Sequence, residues 1–165
     1  MANDLQKRLA GLGACDDALT WIGNRTLSRA WAECERADWM LWIASRLDGR
    51  CGWPDLTVVV RAACSCAARS LRYVKSGDHR PRNAIRAARR WARNPSEKNK
   101  AAAASAATAA AAAAGSRAAT AAATAAGSWA AASAAAEAGS AAEAAEHRAM
   151  CKIIRRIIKP GRLPR

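Results

Sequence analysis

The sequence predicts an all-α protein, a multi-helix bundle with Ala-rich C-terminal helices and no sheet. Three observations carry this. Strand-like alternation is nearly absent. Apolar residues recur at i, i+3, i+4 and i+7, the spacing of one helix face. Alanine, the strongest helix former, dominates residues 101–146.

Taken in order, the first helix runs from Asp4 to Leu12, with Gly13 closing it. The second runs from Asp16 to Ile22 and is closed by Gly23. Thr26 is placed to cap a short helix through Trp31, since its hydroxyl can accept from a free N–H of the first turn. A further helix spans about Arg36 to Leu47, ahead of the turn pair Asp48-Gly49. The β-branched run "LTVVVRAAC" looks like a strand. However, Leu56, Val59, Val60, Ala63, Ala67, Leu71 and Val74 fall on one helix face. A helix over 54–75 is therefore expected, with Pro54 in its first turn, Asp55 at the positive end of its dipole and Gly77 as its stop. Its opposite stripe is Arg61, Ser65, Arg69 and Arg72.

Pro81 opens the next helix and Asn94-Pro95 ends it, because the residue before proline avoids the α region. Arg82, Arg86, Arg89, Arg90 and Arg93 step i, i+4, i+7, i+8, i+11 along it and share a face. Ile85, Ala88, Trp91 and Ala92 form its inner face. In the alanine tract Gly-Ser recurs at 115–116, 127–128 and 139–140, a period of twelve. One helix across the whole tract would be about 67 Å long, too long for a compact domain of this size, so breaks at the Gly-Ser pairs are expected. Ser140-x-x-Glu143 has the form of a capping box. The last helix places Met150, Ile154, Ile157 and Ile158 on one side and Arg148, Lys152, Arg155 and Lys159 on the other, with Arg156 adding charge. Its isoleucines are expected to dock on the bundle. The organisation expected is a Trp-containing core with basic helices over 1–100, an Ala-rich segment over 101–146 packed on it or extended, and a basic amphipathic helix and tail over 147–165.

The net charge of +14 is segregated. Residues 61–100 hold twelve Lys/Arg and two Asp/Glu, and residues 147–165 hold seven Lys/Arg and no acid. Blocks like these favour polyanionic partners. Catalysis has little support, and no enzyme activity is expected. The two histidines, His79 and His147, lie in no nucleophile motif, and no Gly-rich phosphate loop or GxSxG occurs. Neither a metal nor another cofactor is expected. Cys64-x-Cys66 is tighter than zinc-ligand spacing, although His147 and Cys151 stand four apart and can share a helix face. The opening "MANDLQKRLA" is polar and charged, unlike a secretory signal. A cytoplasmic protein with reduced thiols and no membrane span is expected. The spacing argues against an ice-binding face, since a twelve-residue period turns the helix by about 120° per repeat and points Thr108 and Thr120 in different directions.

The stretch "ECERADWMLWIASR" reads as core. Asp38, Trp39 and Trp42, together with Trp91, are expected to anchor it, with Asp38 buried and paired to Arg61, Arg69 or Arg82. The partner-binding surface is expected at Arg61, Arg69, Arg72, Arg82, Arg86, Arg89, Arg90, Arg93, Arg155 and Arg156.

"AWAECERADWMLWIASR", "VVVRAACSCAAR" and "GDHRPRNAIRAARRWAR", followed by a long Ala-rich tract, resemble an immunity-protein family of bacterial and phage genomes. That family is named by analogy with the immunity proteins of polymorphic toxins. The resemblance covers about residues 14–165. Its ordered motifs are Trp39-Met40-Leu41-Trp42, then Cys64 and Cys66 with Arg69, then Arg80-Pro81-Arg82 with Ile85 and Trp91. The chain departs from the family pattern in carrying Arg86 and Arg89, and in keeping only Trp129 in its alanine tract. The resemblance implies a small, non-enzymatic, all-α cytosolic protein that binds and blocks a toxin or a host or phage defence component. Nuclease toxins are basic and want acidic inhibitors, so this basic chain points instead to an acidic protein or an anionic ligand. Two other readings stay open: non-specific binding of nucleic acid, and assembly into oligomers through the Ala-rich helices.

Overall fold

A computed structural model describes residues 4–74, 76–112 and 140–162, with side chains for all of these except residues 73, 107–112 and 140–143. The described residues form α1 (Asp4–Gly11), α2 (Asp16–Ile22), α3 (Leu27–Glu33), α4 (Ala37–Leu47), α5 (Leu56–Ser70), α6 (Arg80–Arg93), α7 (Glu97–Ala112) and α8 (Ser140–Ile157). Single 3₁₀ turns lie at Arg50–Gly52 and Leu71–Tyr73. No strand occurs among these residues, so the chain is all-helical as its periodicity predicts.

α5 is the central helix, packing on α4, α6 and α8. Its sequence explains the position. Val59, Val60, Ala62, Ala63, Cys64, Cys66, Ala67 and Ser70 are all buried, and only Arg61 is fully exposed. Small residues on several sides let neighbouring helices approach closely, and a helix that is apolar most of the way round belongs in the interior. The one-faced pattern expected from Leu56 to Val74 was thus too narrow. The expected ends also shift. Pro54 lies outside the helix, and Asp55 is its N-cap, accepting from Thr57 N at 3.0 Å and Val58 N at 3.2 Å. Asp48 accepts from Leu56 N at 2.7 Å, so the first turn has no orphaned donor at these positions. The α-helix stops at Ser70 and tightens into the 3₁₀ turn well before Gly77.

α6 packs between α5 and α7. Pro81 sits in its first turn, and Asn94 closes it with a non-helical backbone. Ser96 then accepts from Asn99 N and starts α7 within two residues of the turn. α7 begins at Glu97 and runs through residue 100, while α8 runs through residue 146. The three-part division expected from composition therefore cuts two continuous helices. In α7, Ala103 is buried and Ala106 packs on the core. The Gly-Ser pairs at 115–116 and 127–128 lie outside the described residues, as do Gly139 and the capping side chains of 140–143.

α8 lies against α4 and α5. Met150, Cys151, Ile154 and Ile158 are completely buried, the docking expected of its apolar side, with Ile157 half-buried. Beyond it the chain turns at Pro160 and meets the 3₁₀ turn. Arg162 N donates to Cys51 O at 2.7 Å, and Trp53 Nε1 donates to Arg162 O at 2.9 Å. Between them Gly161 touches backbone directly. A Cβ there would come within 2.5 Å of the Gly52 carbonyl carbon and Trp53 N, so no other residue fits without moving the tail.

Candidate anion-binding face and tryptophan-lined cavity

All five arginines of the α6 stripe, Arg82, Arg86, Arg89, Arg90 and Arg93, are exposed. The opposite side of the helix buries Pro81, Ala84, Ile85, Ala88 and Ala92 and fixes the stripe's direction. The five positions span about 100° of arc and roughly 16 Å of axis. None of them has an ion pair or side-chain hydrogen bond among the described residues. The acids nearest in sequence, Asp78 and Glu97, are taken by Arg80 at 2.8 Å and by Lys100 at 3.6 Å. Several other carboxylates among the described residues are likewise occupied. Glu33 holds Arg25 and Arg29 at 2.9 and 2.7 Å, and Asp4 holds Arg8. Like charges at i, i+3 and i, i+4 cost about 0.2–0.5 kcal/mol per pair. The stripe contains several such pairs, so the face opposes folding slightly.

The other arginines expected at this surface divide. Arg61 and Arg156 are exposed. Arg69 and Arg72 are not open partner-binding groups, because both grip Glu146 on α8. Arg69 Nε and Nη2 donate to its two carboxylate oxygens at 2.8 and 3.2 Å, and Arg72 Nη2 donates at 2.5 Å. The Glu146 side chain is only 9% exposed, and the Arg69 guanidinium above all holds its carboxyl below the usual range. Arg155 is also structural. It donates through Nε to Trp31 O at 2.9 Å and through Nη2 to Cys34 O. These are carbonyls at the C-terminal end of α3, which lacks intrahelical partners for them. The stripe assigned to α8 from periodicity is therefore interrupted by a cation that caps another helix.

Asp38 does not pair with Arg61, Arg69 or Arg82. Its partner is Arg36, two residues away, through Nε at 3.0 Å and Nη2 at 2.6 Å. Proximity along the chain won over the long-range pairing that burial seemed to require. Trp39, Trp42 and Trp91 pack against the core but are only half-buried. The sealed residues of α4 are Ala37, Met40, Leu41, Ala44 and Leu47. Trp39 and Trp42 instead line a cavity of about 290 Å³ shared with Trp21, Ile22, Met40 and Ile43. Trp21 and Trp39 meet at 5.8 Å with their rings tilted by 57°. Arg25 lies 4.7 Å over Trp21, Arg36 4.7 Å over Trp39, and Arg46 5.9 Å from the Trp42 centroid.

Two polar residues of the core had no assigned place in the sequence reading. Glu146 is the carboxylate described above. His147, 5% exposed, accepts at Nδ1 from Ala37 N at 3.3 Å. It thereby serves the N-terminus of α4, where Arg36 makes no side-chain cap. The spacing of His147 and Cys151 showed that they share a helix side but could not show that α4 lies across from it. Cys34, Cys64, Cys66 and Cys151 are buried, and Cys15 and Cys51 are exposed. Burial pushes the thiols up, Cys64 to about 11 and Cys66 and Cys151 to about 12.

No helix among the described residues is long and apolar enough to cross a membrane. Among the same residues no three His, Cys, Asp or Glu side chains are grouped to hold a metal. No family model, curated protein or solved structure matches the chain.

Proposed function

We propose that this chain is a non-enzymatic binding protein of the immunity type, which neutralises a toxin or a defence component by docking an acidic surface of it on α6. The observation that carries the reading is the α6 face: five exposed arginines on one rigid helix, with no carboxylate partner among the described residues. Among the described residues, acids serve helix ends or other arginines, as at Asp55, Glu33 and Glu146. Arg suits this task because its planar fork binds carboxylates in pairs. The residues shared with the immunity-protein pattern lend the reading its class, and Arg86 and Arg89, where the chain departs from that pattern, lie on the face itself.

The same face suits phosphates, and its exposed length favours nucleic acid as the second reading. Fluorescence anisotropy with an acidic peptide and with random-sequence duplex DNA, each titrated over a salt series, separates the two. The proposal expects saturable binding of the peptide at low salt and DNA binding no tighter. Tighter binding of DNA, with log K falling against log salt at a slope of about −4 for four or five phosphate contacts, would replace it with the nucleic-acid reading. Failure to bind either would sink both.

A further inference from the structure

We propose that the cavity between α1, α2, α3 and α4 is a second, separate binding site, for a compact neutral compound of one or two rings. The sequence leaves the space. Ala18, Trp21 and Ile22 share one side of α2 and all line the cavity, and the turn before the helix adds Gly13 and Ala14. This face closes on α4 at Trp21, which meets Trp39 at 5.8 Å, and leaves a hollow beside its small residues. The volume of about 290 Å³ lies near the lower end of small-ligand sites, typically about 300–1,000 Å³, and is too small to seat a helix. Trp21, Trp39 and Trp42 give the wall flat, rigid surfaces on which a ring packs face-on or edge-on. Wall atoms that face a void lack contact partners, and an apolar guest restores them.

The charges at the wall decide that the guest is uncharged. Among the described residues, the only charged side chains lining the cavity are Arg36 and Asp38, and they hold each other at 3.0 and 2.6 Å. As a pair they are neutral and draw neither sign of ion. The Cys34 thiol on the wall is likewise committed, donating to Arg36 O at 3.3 Å. An ion entering this hollow gives up its hydration and meets no counter-charge. A cation meets a further obstacle. Tryptophan faces would otherwise attract it, but guanidinium groups already lie against all three indoles, Arg25 and Arg36 at 4.7 Å and Arg46 at 5.9 Å. None of the α6 arginines lines this cavity, so the site stands or falls independently of the α6 face.

The test uses the uncharged fluorescent probe N-phenyl-1-naphthylamine on the full chain, followed by its displacement at neutral pH. Three competitors share one ring system: neutral 2-naphthol, anionic 2-naphthoate and cationic 2-naphthylmethylammonium. The proposal expects saturable one-site binding of the probe, with tryptophan emission quenched in parallel. It expects 2-naphthol to displace the probe and both ions to do so more weakly by about tenfold or more. Displacement reads this cavity alone, so binding of the anion to the α6 arginines does not register. Ala18→Phe, which places a ring into the cavity wall, is expected to abolish probe binding while the protein still unfolds cooperatively. Absence of saturable probe binding would overturn the proposal, as would an ion that competes as well as 2-naphthol, or binding that persists in Ala18→Phe. Should Ala18→Phe fail to fold, Ala14→Leu, a smaller change on the same wall, is read in the same way, and the displacement series on the unaltered chain decides by itself.

Discussion

Glu146 is the residue whose surroundings make the sharpest demand. Its carboxylate is nearly sealed and is held by two arginines that remain 34% and 52% exposed. Replacing it with glutamine leaves those cations partly solvated, so the loss is smaller than for a fully buried pair, about 2 kcal/mol by urea unfolding at neutral pH. The pH dependence has a fixed sign. The folded state holds Glu146 below its ordinary range, so its stabilisation is complete above about pH 4.5 and is lost as pH falls through the lowered folded value. Glu146→Gln should therefore flatten the acid limb of stability against pH, and an acid limb unchanged from wild type would contradict the assignment. The thiols act at the other end. Their folded values are raised, so the unfolded state ionises first and stability falls as pH rises above about 9. In the native protein a thiol reagent should titrate Cys15 and Cys51 quickly, and the remaining four only on unfolding. Fast reaction of all six would show that the α5–α8 interior is open. Little of this residue-level detail was legible in the sequence. Asp38 was expected to pair with Arg61, Arg69 or Arg82 and Glu146 had no expected partner, because which arginine lies opposite depends on helix positions that spacing along one chain does not contain.

Helix existence was far more legible than helix role. The bounds of α2, α4 and α6 follow from Gly23, Asp48-Gly49, Pro81 and Asn94-Pro95, because these residues act on their own backbone. Thr26 caps α3 as its hydroxyl predicts. The centrality of α5 was hidden by its alanines and cysteines, which a hydrophobic-face count weighs lightly although they decide how closely helices approach. α8 shows the same gap, since Arg155 matches the polar stripe in spacing yet reaches back to close α3. Arg155→Ala should cost about 2 kcal/mol of stability, while Arg156→Ala, at an exposed position, should change it by under about 0.5 kcal/mol. Equal effects from the two substitutions in denaturant unfolding would refute the capping role. Gly161→Ala should destabilise by roughly 1–3 kcal/mol, because a Cβ there displaces the tail from Cys51 and Trp53.

Over the whole molecule, charge is sorted by task. Among the described residues, acidic side chains gather at helix ends and around arginines, as at Asp55 and Glu146. Residues 61–100 carry a large excess of cations, and much of its exposed part lies along α6, with Arg61 exposed on α5 and Lys98 and Lys100 on α7. That segregation was visible in the sequence, and so was the shared face of the five arginines. The sequence did not show that Arg69, Arg72 and Arg155 belong to the scaffold, which narrows the open surface to α6 with Arg61 and Arg156. The central claim is that this face binds an anionic partner and does not stabilise the fold. The direct measurement is the affinity of the variant Arg86→Gln, Arg89→Gln, Arg90→Gln, Arg93→Gln for an acidic peptide, compared with wild type, on protein whose unfolding has been recorded. The account predicts a variant at least as stable as wild type, since several like-charge pairs are removed at about 0.2–0.5 kcal/mol each, and an affinity reduced by roughly tenfold or more. An equally stable variant that binds as tightly as wild type would contradict it.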